Sequence, residues 1–376
     1  MTAVTRHAES TPHTLFMALE LGSTTWKLAF SRAGDDHVRV RTMLARDVER
    51  LRDEIAKAKA RFDLPTETPV RSCYEAGRDG FWVHRALLAD GIQNVVVDPA
   101  SIAVDRRARR AKTDRLDAIA LVRQLINATG GDRRGWREVH VPSCQAEADR
   151  QLQREWDVCR ADRTRVRNRI QGLLATQGLR LTLTGDFPER LARVRLWDDN
   201  PLAPELVARL TREWTQLRQI ETRRAAIVRA RRARLAAHTD TIAQQVTQLT
   251  QLRGIGVTGA LTLSSELFAW RAFTNPRQIG ACVGLTPTPY RSDQTIREQG
   301  ISRSGNRRVR ALSIELAWKW LQWQPDSALT RWFHDHFGRH HRARRIGIVA
   351  VARKLLIALW RYVETGQIPA GAIVRA

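Results

Sequence analysis

The chain has 376 residues, 63 of them Lys or Arg against 39 Asp or Glu, which gives a formal net charge of +24 with an apolar share of 43%. That length suits two or three domains with real cores, and no run of 18 uncharged apolar residues offers a membrane span. Cys73, Cys144, Cys159 and Cys282 lack zinc or disulfide spacing, and residues 1 to 16 hold no signal core, so reduced thiols and a cytoplasmic location are expected.

The cations are nearly all arginine; lysine stands only at Lys27, Lys57, Lys59, Lys112, Lys319 and Lys354. Arginine grips phosphate bidentately, and a surface this basic binds polyphosphate through counterion release. The partner expected from charge is nucleic acid, not a membrane.

Residues 15 to 21 are an apolar run broken by Glu20, followed by a Gly-Ser-Thr-Thr turn and a second strand at 26 to 30. Residues 38 to 43 alternate as a third strand, 45 to 61 read as helix, and 70 to 76 form a strand ending in Tyr-Glu-Ala-Gly. A helix at 79 to 90 and a short strand at 94 to 97 follow. This order predicts an α/β layer with a mixed sheet over about residues 14–130. Residues 106 to 123 read as a helix carrying Asp114 and Asp117 three apart, hence on one face. Thr113 or Asp114 could equally be its N-cap. A carboxylate inside an apolar run, as at Glu20, needs a cation, a partner or a site opening, because burying an unpaired charge is costly. Glu75 at a strand end has the same character. Hard cations take oxygen ligands, so Glu20, Glu75, Asp114 and Asp117 are the candidate set for Mg²⁺, with Mn²⁺ as a substitute.

These residues resemble the DEDD insertion-sequence transposases: the hairpin with an acid on its first strand, the Tyr-Glu-Ala-Gly strand end and the Lys-Thr-Asp-Arg-Leu-Asp-Ala helix. The resemblance implies an RNase H-like (RuvC-like) first domain whose metal quartet is Glu20, Glu75, Asp114 and Asp117. Glu20 stands where that family usually has Asp.

Residues 140–250 hold two long helical stretches. In the first, Leu152, Trp156, Cys159, Val166, Ile170 and Leu173 recur at steps of three and four with a gap at Arg163. The second carries Leu206, Leu210, Trp214, Leu217, Ile220 or Glu221, and Ile227 on a similar stripe. Either a helical hairpin packed on itself or a coiled coil that also dimerises fits the pattern. Their other faces are dense in arginine, Arg163 and Arg167 among them, with few acids in sight, which suits phosphate tracking.

Residues 251–376 open on Leu252-Arg253-Gly254-Ile255-Gly256, between helical segments. It reads as an ordinary glycine turn or a helix-hairpin-helix element holding DNA backbone through Arg253, Gly254 and Gly256. An extended loop, Gly280 to Asp293, then leads to Gly300-Ile-Ser-Arg-Ser-Gly and a helix from Arg307 to Trp323. Arg291, Arg303, Arg307, Arg308 and Arg310 make this stretch a phosphate-binding candidate. By residue type alone Ser292 is a turn residue. The Gly-Leu-x-Pro, Tyr-x-Ser and Gly-Ile-Ser-Arg-x-Gly series, however, resembles the C-terminal domain of the same transposases, and that resemblance puts the catalytic serine at Ser292, with Ser302 and Ser304 as fallbacks. Asp293 follows it where the family usually has Gly. His334, His336, His340 and His341 suggest a basic helix–turn contact with nucleic acid more than a metal finger.

Together these readings give an RNase H-like α/β domain, a helical coiled-coil connector and a mostly helical C-terminal domain. The resemblance implies a recombinase acting on donor and target double-stranded DNA through a phosphoserine link, with a structured noncoding guide RNA and dimers pairing into tetramers. The residues alone also allow a metal-dependent junction nuclease without a covalent intermediate, or a catalytically inactive nucleic-acid-binding protein.

Overall fold

The computed structural model describes residues 14–101, 113–292, 295–338 and 340–375. The chain divides into two compact units, residues 1–141 and 142–376; the connector helices and the C-terminal segment share the second.

In the first unit β1 (Leu15–Leu21), β2 (Thr25–Arg32), β3 (Arg39–Leu44), β4 (Val70–Glu75) and β5 (Gln93–Val97) form one sheet in the order β3-β2-β1-β4-β5. β1–β2 and β2–β3 pair antiparallel, while β1–β4 and β4–β5 pair parallel. Both faces of the sheet are covered, which is why β1 is apolar at nearly every position. Leu15, Met17 and Leu19 of β1, with Val70 and Tyr74 of β4, face a core shared with α1 (Val48–Arg61) and α2 (Trp82–Ala89). Phe16, Ala18 and Cys73 face the opposite core, shared with α3 (Asp114–Thr129).

Two contacts fix the direction of α3. The thiol of Cys73 reaches the Leu121 carbonyl at 3.9 Å. The last turn of α3, at Leu125, Ala128 and Thr129, lines a cavity of about 170 Å³ with Arg71, Gln93 and Val95 at the starts of β4 and β5. The helix therefore runs back along the sheet, and its first turn comes to the end where β1 and β4 finish. Thr113 is the N-cap, its hydroxyl accepting from the Leu116 amide.

The second unit opens with a helical hairpin, α4 (Cys144–Ala175) packed on α6 (Pro204–Ala237), with the short α5 (Phe187–Arg193) in the connection. Val166, Ile170 and Leu174 meet Leu210, Trp214 and Leu217; Leu173, expected on the stripe, is only half-buried, and the seam takes Leu174 one residue on instead. The seam's other half is polar. Arg231, buried on α6, donates to Gln153 at 2.5 Å and lies over the Trp156 ring, 4.5 Å from its centroid. Desolvation pushes its guanidinium down to about 10, against the pull of Asp157.

The rest of the unit is one core built by α7 (Thr241–Gln251), α8 (Val257–Leu263), α9 (Pro276–Cys282), the hairpin of β6 (Pro287–Ser292) with β7 (Thr295–Ile301), α10 (Arg307–Trp323), α11 (Ala328–Phe337) and α12 (His341–Thr365). The predicted extended loop is thus an antiparallel hairpin, with a register irregularity between Pro287 and Pro289, residues that cannot donate to a ladder. At its base two backbone segments cross. The Asn306 amide donates to the Cys282 carbonyl at 2.9 Å, Arg303 to Gly284 at 3.1 Å and Ser302 to Thr286 at 2.9 Å. Gly284 (φ +68°) and Gly305 (φ +79°) sit at the crossing, where an added Cβ would come within 2.1 Å of the Ser304 or Cys282 carbonyl oxygen.

After α8 the helix continues as one π turn, Ser264–Phe268. It carries Glu266, 1% exposed. Arg154 of α4 forks onto this carboxylate at 2.7 and 2.9 Å, and Asn306 donates to it at 3.2 Å. Arg308 stands 3.6 Å away and also pairs with Asp157 of α4. Burial pushes the Glu266 carboxyl up, but the Arg154 fork, Asn306 and the nearby Arg150 charge outweigh it and leave it below the usual glutamate range.

Two outcomes are expected. Gly305→Ala, forced into left-handed backbone against a carbonyl, should cost about 2–3 kcal/mol, read as a lowered melting temperature. Because Glu266 is depressed on folding, its contribution is full above the ordinary glutamate value of about 4.3 and is lost as pH falls through the lower folded value. Removing one partner of a buried ion pair costs about 3 kcal/mol, so Glu266→Gln should be less stable than wild type at pH 7 by about that much, and urea titrations should show the gap closing in more acid solution.

Candidate active site

Glu20 ends up half-buried near the end of β1, on the sheet face of Phe16 and Ala18. Glu75, exposed, is the last residue of β4, and strand alternation puts it on the same face as Cys73. Asp114 and Asp117 lie in the first turn of α3, the helix that covers this face. Register and helix direction thus bring the four candidate carboxylates to one end of one sheet face. Their side chains do not draw together further: among the described residues no three His, Cys, Asp or Glu groups are close enough to hold one metal ion. Thr113 takes the capping role that Asp114 shared in the sequence reading; residues 106–112 lie outside the described residues.

Ser292 is the last residue of β6 and pairs with Thr295 across the tip of the β6–β7 hairpin. Asp293 and the side chains of Arg291 and Ser292 lie outside the described residues. Ser302 and Ser304 flank the crossing at the hairpin base, their hydroxyls 3.2 Å apart, and Arg303 between them is in left-handed backbone (φ +56°).

The arginines divide into two groups. Arg310 donates to the carbonyls of Val283 (2.9 Å) and Ser304 (3.2 Å) and braces the loop crossing, and Arg308 is taken up by Asp157 and Glu266. Arg303 and Arg307 are exposed. On the hairpin the expectation of few compensating acids is corrected. Arg163 meets Glu221 at 3.3 Å, Arg169 meets Glu213 at 2.7 Å, Arg223 meets Glu155 at 2.5 Å and Arg234 meets Asp149 at 3.0 Å. Each pair joins α4 to α6, because acids far apart in sequence face these arginines once the helices turn back. Arg167 is half-buried, and Arg160, Arg229 and Arg232 are exposed and stand outside these pairs.

The glycine turn links α7 and α8, which pack together. Gly254 is needed there: its φ is +92°, and a Cβ would crowd Trp323 at 3.2 Å. Gly256 is the N-cap position of α8, with open space beside it. Arg253 lies over the Trp323 ring at 5.8 Å. His336 donates its Nδ1 proton to the Trp332 carbonyl (2.9 Å), and the described histidines join no metal-holding group.

Sequence reasoning missed Glu266. The signal was present, since it is a carboxylate inside an apolar run, as Glu20 is.

The description of the IS116/IS110/IS902 transposase family matches residues 246–331. Across its length the chain is similar to a Sinorhizobium fredii (strain NGR234) protein named as a candidate transposase, y4rJ: 38% identity over 376 residues, 96% of this chain and 94% of the relative. The transposase of insertion sequence element IS1328 from Yersinia enterocolitica is 26% identical over 219 residues, 58% of this chain and 63% of that one. That of IS1533 from Leptospira borgpetersenii is 24% identical over 177 residues, 46% of this chain and 47% of the relative. None of the helices among the described residues is long and apolar enough to cross a membrane. With a relative matched nearly end to end and the family's own segment inside the C-terminal core, the chain belongs to the IS116/IS110/IS902 family of insertion-sequence transposases, enzymes that recombine DNA.

Proposed function

We propose that this transposase cuts and rejoins DNA through a covalent link to Ser292, with the carboxylates of Glu20, Glu75, Asp114 and Asp117 preparing the phosphate. The observation that carries the reading is the meeting of those four acids at one end of one sheet face in a chain of net charge +24. Four acids brought to one sheet end in so basic a protein, although their side chains stand apart, support a role beyond general solvation. The strand order β3-β2-β1-β4-β5, with an antiparallel β2 and a helix reversed across β1 and β4, supports an RNase H-like domain of the RuvC type. The four acids offer only hard oxygen donors, which suits Mg²⁺ or Mn²⁺; such an ion would neutralise charge on the phosphate oxygens.

The serine step balances without an energy source. The Ser292 oxygen bonds to phosphorus as the bond from phosphorus to one deoxyribose oxygen breaks, and the proton shed by serine ends on that oxygen. Attack by a hydroxyl of another strand reverses the exchange and frees the serine. One phosphodiester is traded for another, so ATP is not required. The exposed Arg303 and Arg307 and the turn at Arg253, Gly254 and Gly256 would grip backbone phosphate. Guidance by a structured RNA, and dimers that pair into tetramers, come with this reading by resemblance to the DEDD transposases.

Protein purified with its bound nucleic acid and mixed with a plasmid carrying its gene and native flanks in Mg²⁺ should yield a DNA adduct that survives denaturation. Ser292→Ala should abolish the adduct, and clean hydrolysis by wild type and variant alike would mean a nuclease instead. Asp117→Asn should slow adduct formation by about a thousandfold, the worth of several kcal/mol of charge stabilisation, and a chelator should stop it. Binding without any strand cleavage in Mg²⁺ or Mn²⁺ would leave only a nucleic-acid-binding protein. Sequencing the co-purified nucleic acid should return one structured RNA if guidance is correct.

A further inference from the structure

We infer that Glu266 is a positioning residue for DNA strand transfer, acting through Asn306 on the hairpin that carries Ser292. The inference rests on the serine reading above.

Glu266 is out of reach of solvent, yet three side chains from two elements converge on it: Arg154 from α4, and Asn306 and Arg308 from the start of α10. The π turn that holds it is an uncommon backbone form, frequent at functional sites. Asn306 has two tasks. Its side-chain oxygen caps α10 by accepting from the amides of Arg308 (3.0 Å) and Val309 (3.2 Å), while its amide nitrogen donates to Glu266. Its own backbone amide holds the Cys282 carbonyl, and a Cβ at the neighbouring position 305, which only glycine avoids, would press on the same oxygen. Both strands of the β6–β7 hairpin leave from this crossing, one after Thr286 and the other before Ser302.

The hairpin acts as a lever. From Pro287 to Ser292 it extends about 17 Å, taking five steps of strand rise. A tilt of about 3° at the base therefore shifts the tip by about 1 Å, and a misplacement of that size can cost about a hundredfold in rate. The carboxylate charge matters because two guanidinium groups share it. A neutral group there removes the counter-charge that Arg154 and Arg308 share and leaves Arg308 to Asp157 alone, and Asn306 follows Arg308.

Three variants separate positioning from simple stabilisation, each assayed for the denaturation-resistant adduct under single-turnover conditions on the plasmid described above. Glu266→Gln should slow adduct formation by about a hundredfold with DNA affinity unchanged. Asn306→Ser keeps a good helix cap and removes only the donor to Glu266, so it should show the same slowing at a melting temperature close to wild type. Arg154→Gln loosens the tie to α4 but leaves Glu266 on Asn306 and Arg308, so its rate should stay within about threefold of wild type. If Glu266→Gln fails to fold, Asn306→Ser decides. A wild-type rate in Asn306→Ser, or an Arg154→Gln as slow as Glu266→Gln, overturns the inference. The serine reading fails separately, when Ser292→Ala still forms the adduct.

Discussion

A scarcity of negative charge governs how this protein packs. With 63 cationic residues and 39 acids, folding brings arginines together faster than carboxylates can neutralise them. Several buried and half-buried acids are therefore shared. Glu54 serves Arg39, Arg41, Arg50 and Lys57; Glu221 serves Arg163 and Arg218; Glu266 serves Arg154 and Arg308. Tryptophan rings take several of the others: Arg150 lies over Trp270, Arg224 and Arg231 over Trp156, and Arg253 over Trp323. A guanidinium is weakly hydrated and planar, so an aromatic face can replace part of its water where a lysine ammonium would be left dry.

This shortage gives the acids at the sheet end their weight. Register and helix direction bring Glu20, Glu75, Asp114 and Asp117 to one end of one sheet face, with their side chains still apart. The sheet supplies that convergence through parallel pairing of β1 with β4, which ends both strands at one edge, and through the reversed α3. The loop crossing in the second unit works by opposite means. There the chain closes on itself through two glycines and a set of backbone hydrogen bonds, and arginine acts as a brace.

Much of this was legible in the sequence because it is local. The apolar run of β1, the strand end at Glu75, the cap at Thr113 and the two long helices each leave a period or a punctuation mark in a short window. The β6–β7 hairpin was read as an extended loop, since Pro287 and Pro289 argue against a strand and the pairing that overrules them lies a dozen residues on. The arginines of α4 and α6 looked uncompensated because their partners are 44 to 85 residues away. Glu266 escaped for a related reason: Arg154 is 112 residues distant and Asn306 is 40, and no local pattern reports such a meeting.

The stacking of arginine on tryptophan along the connector has a practical consequence. Dissolved ions screen the exposed pairs between α4 and α6, and they strip phosphate from a basic surface more steeply still. The buried Arg231–Gln153 contact, the Trp156 face and the aliphatic seam from Val166 to Leu217 respond far less. Concentrated sodium chloride should thus act as an eluent for bound polynucleotide while the two connector helices stay zipped.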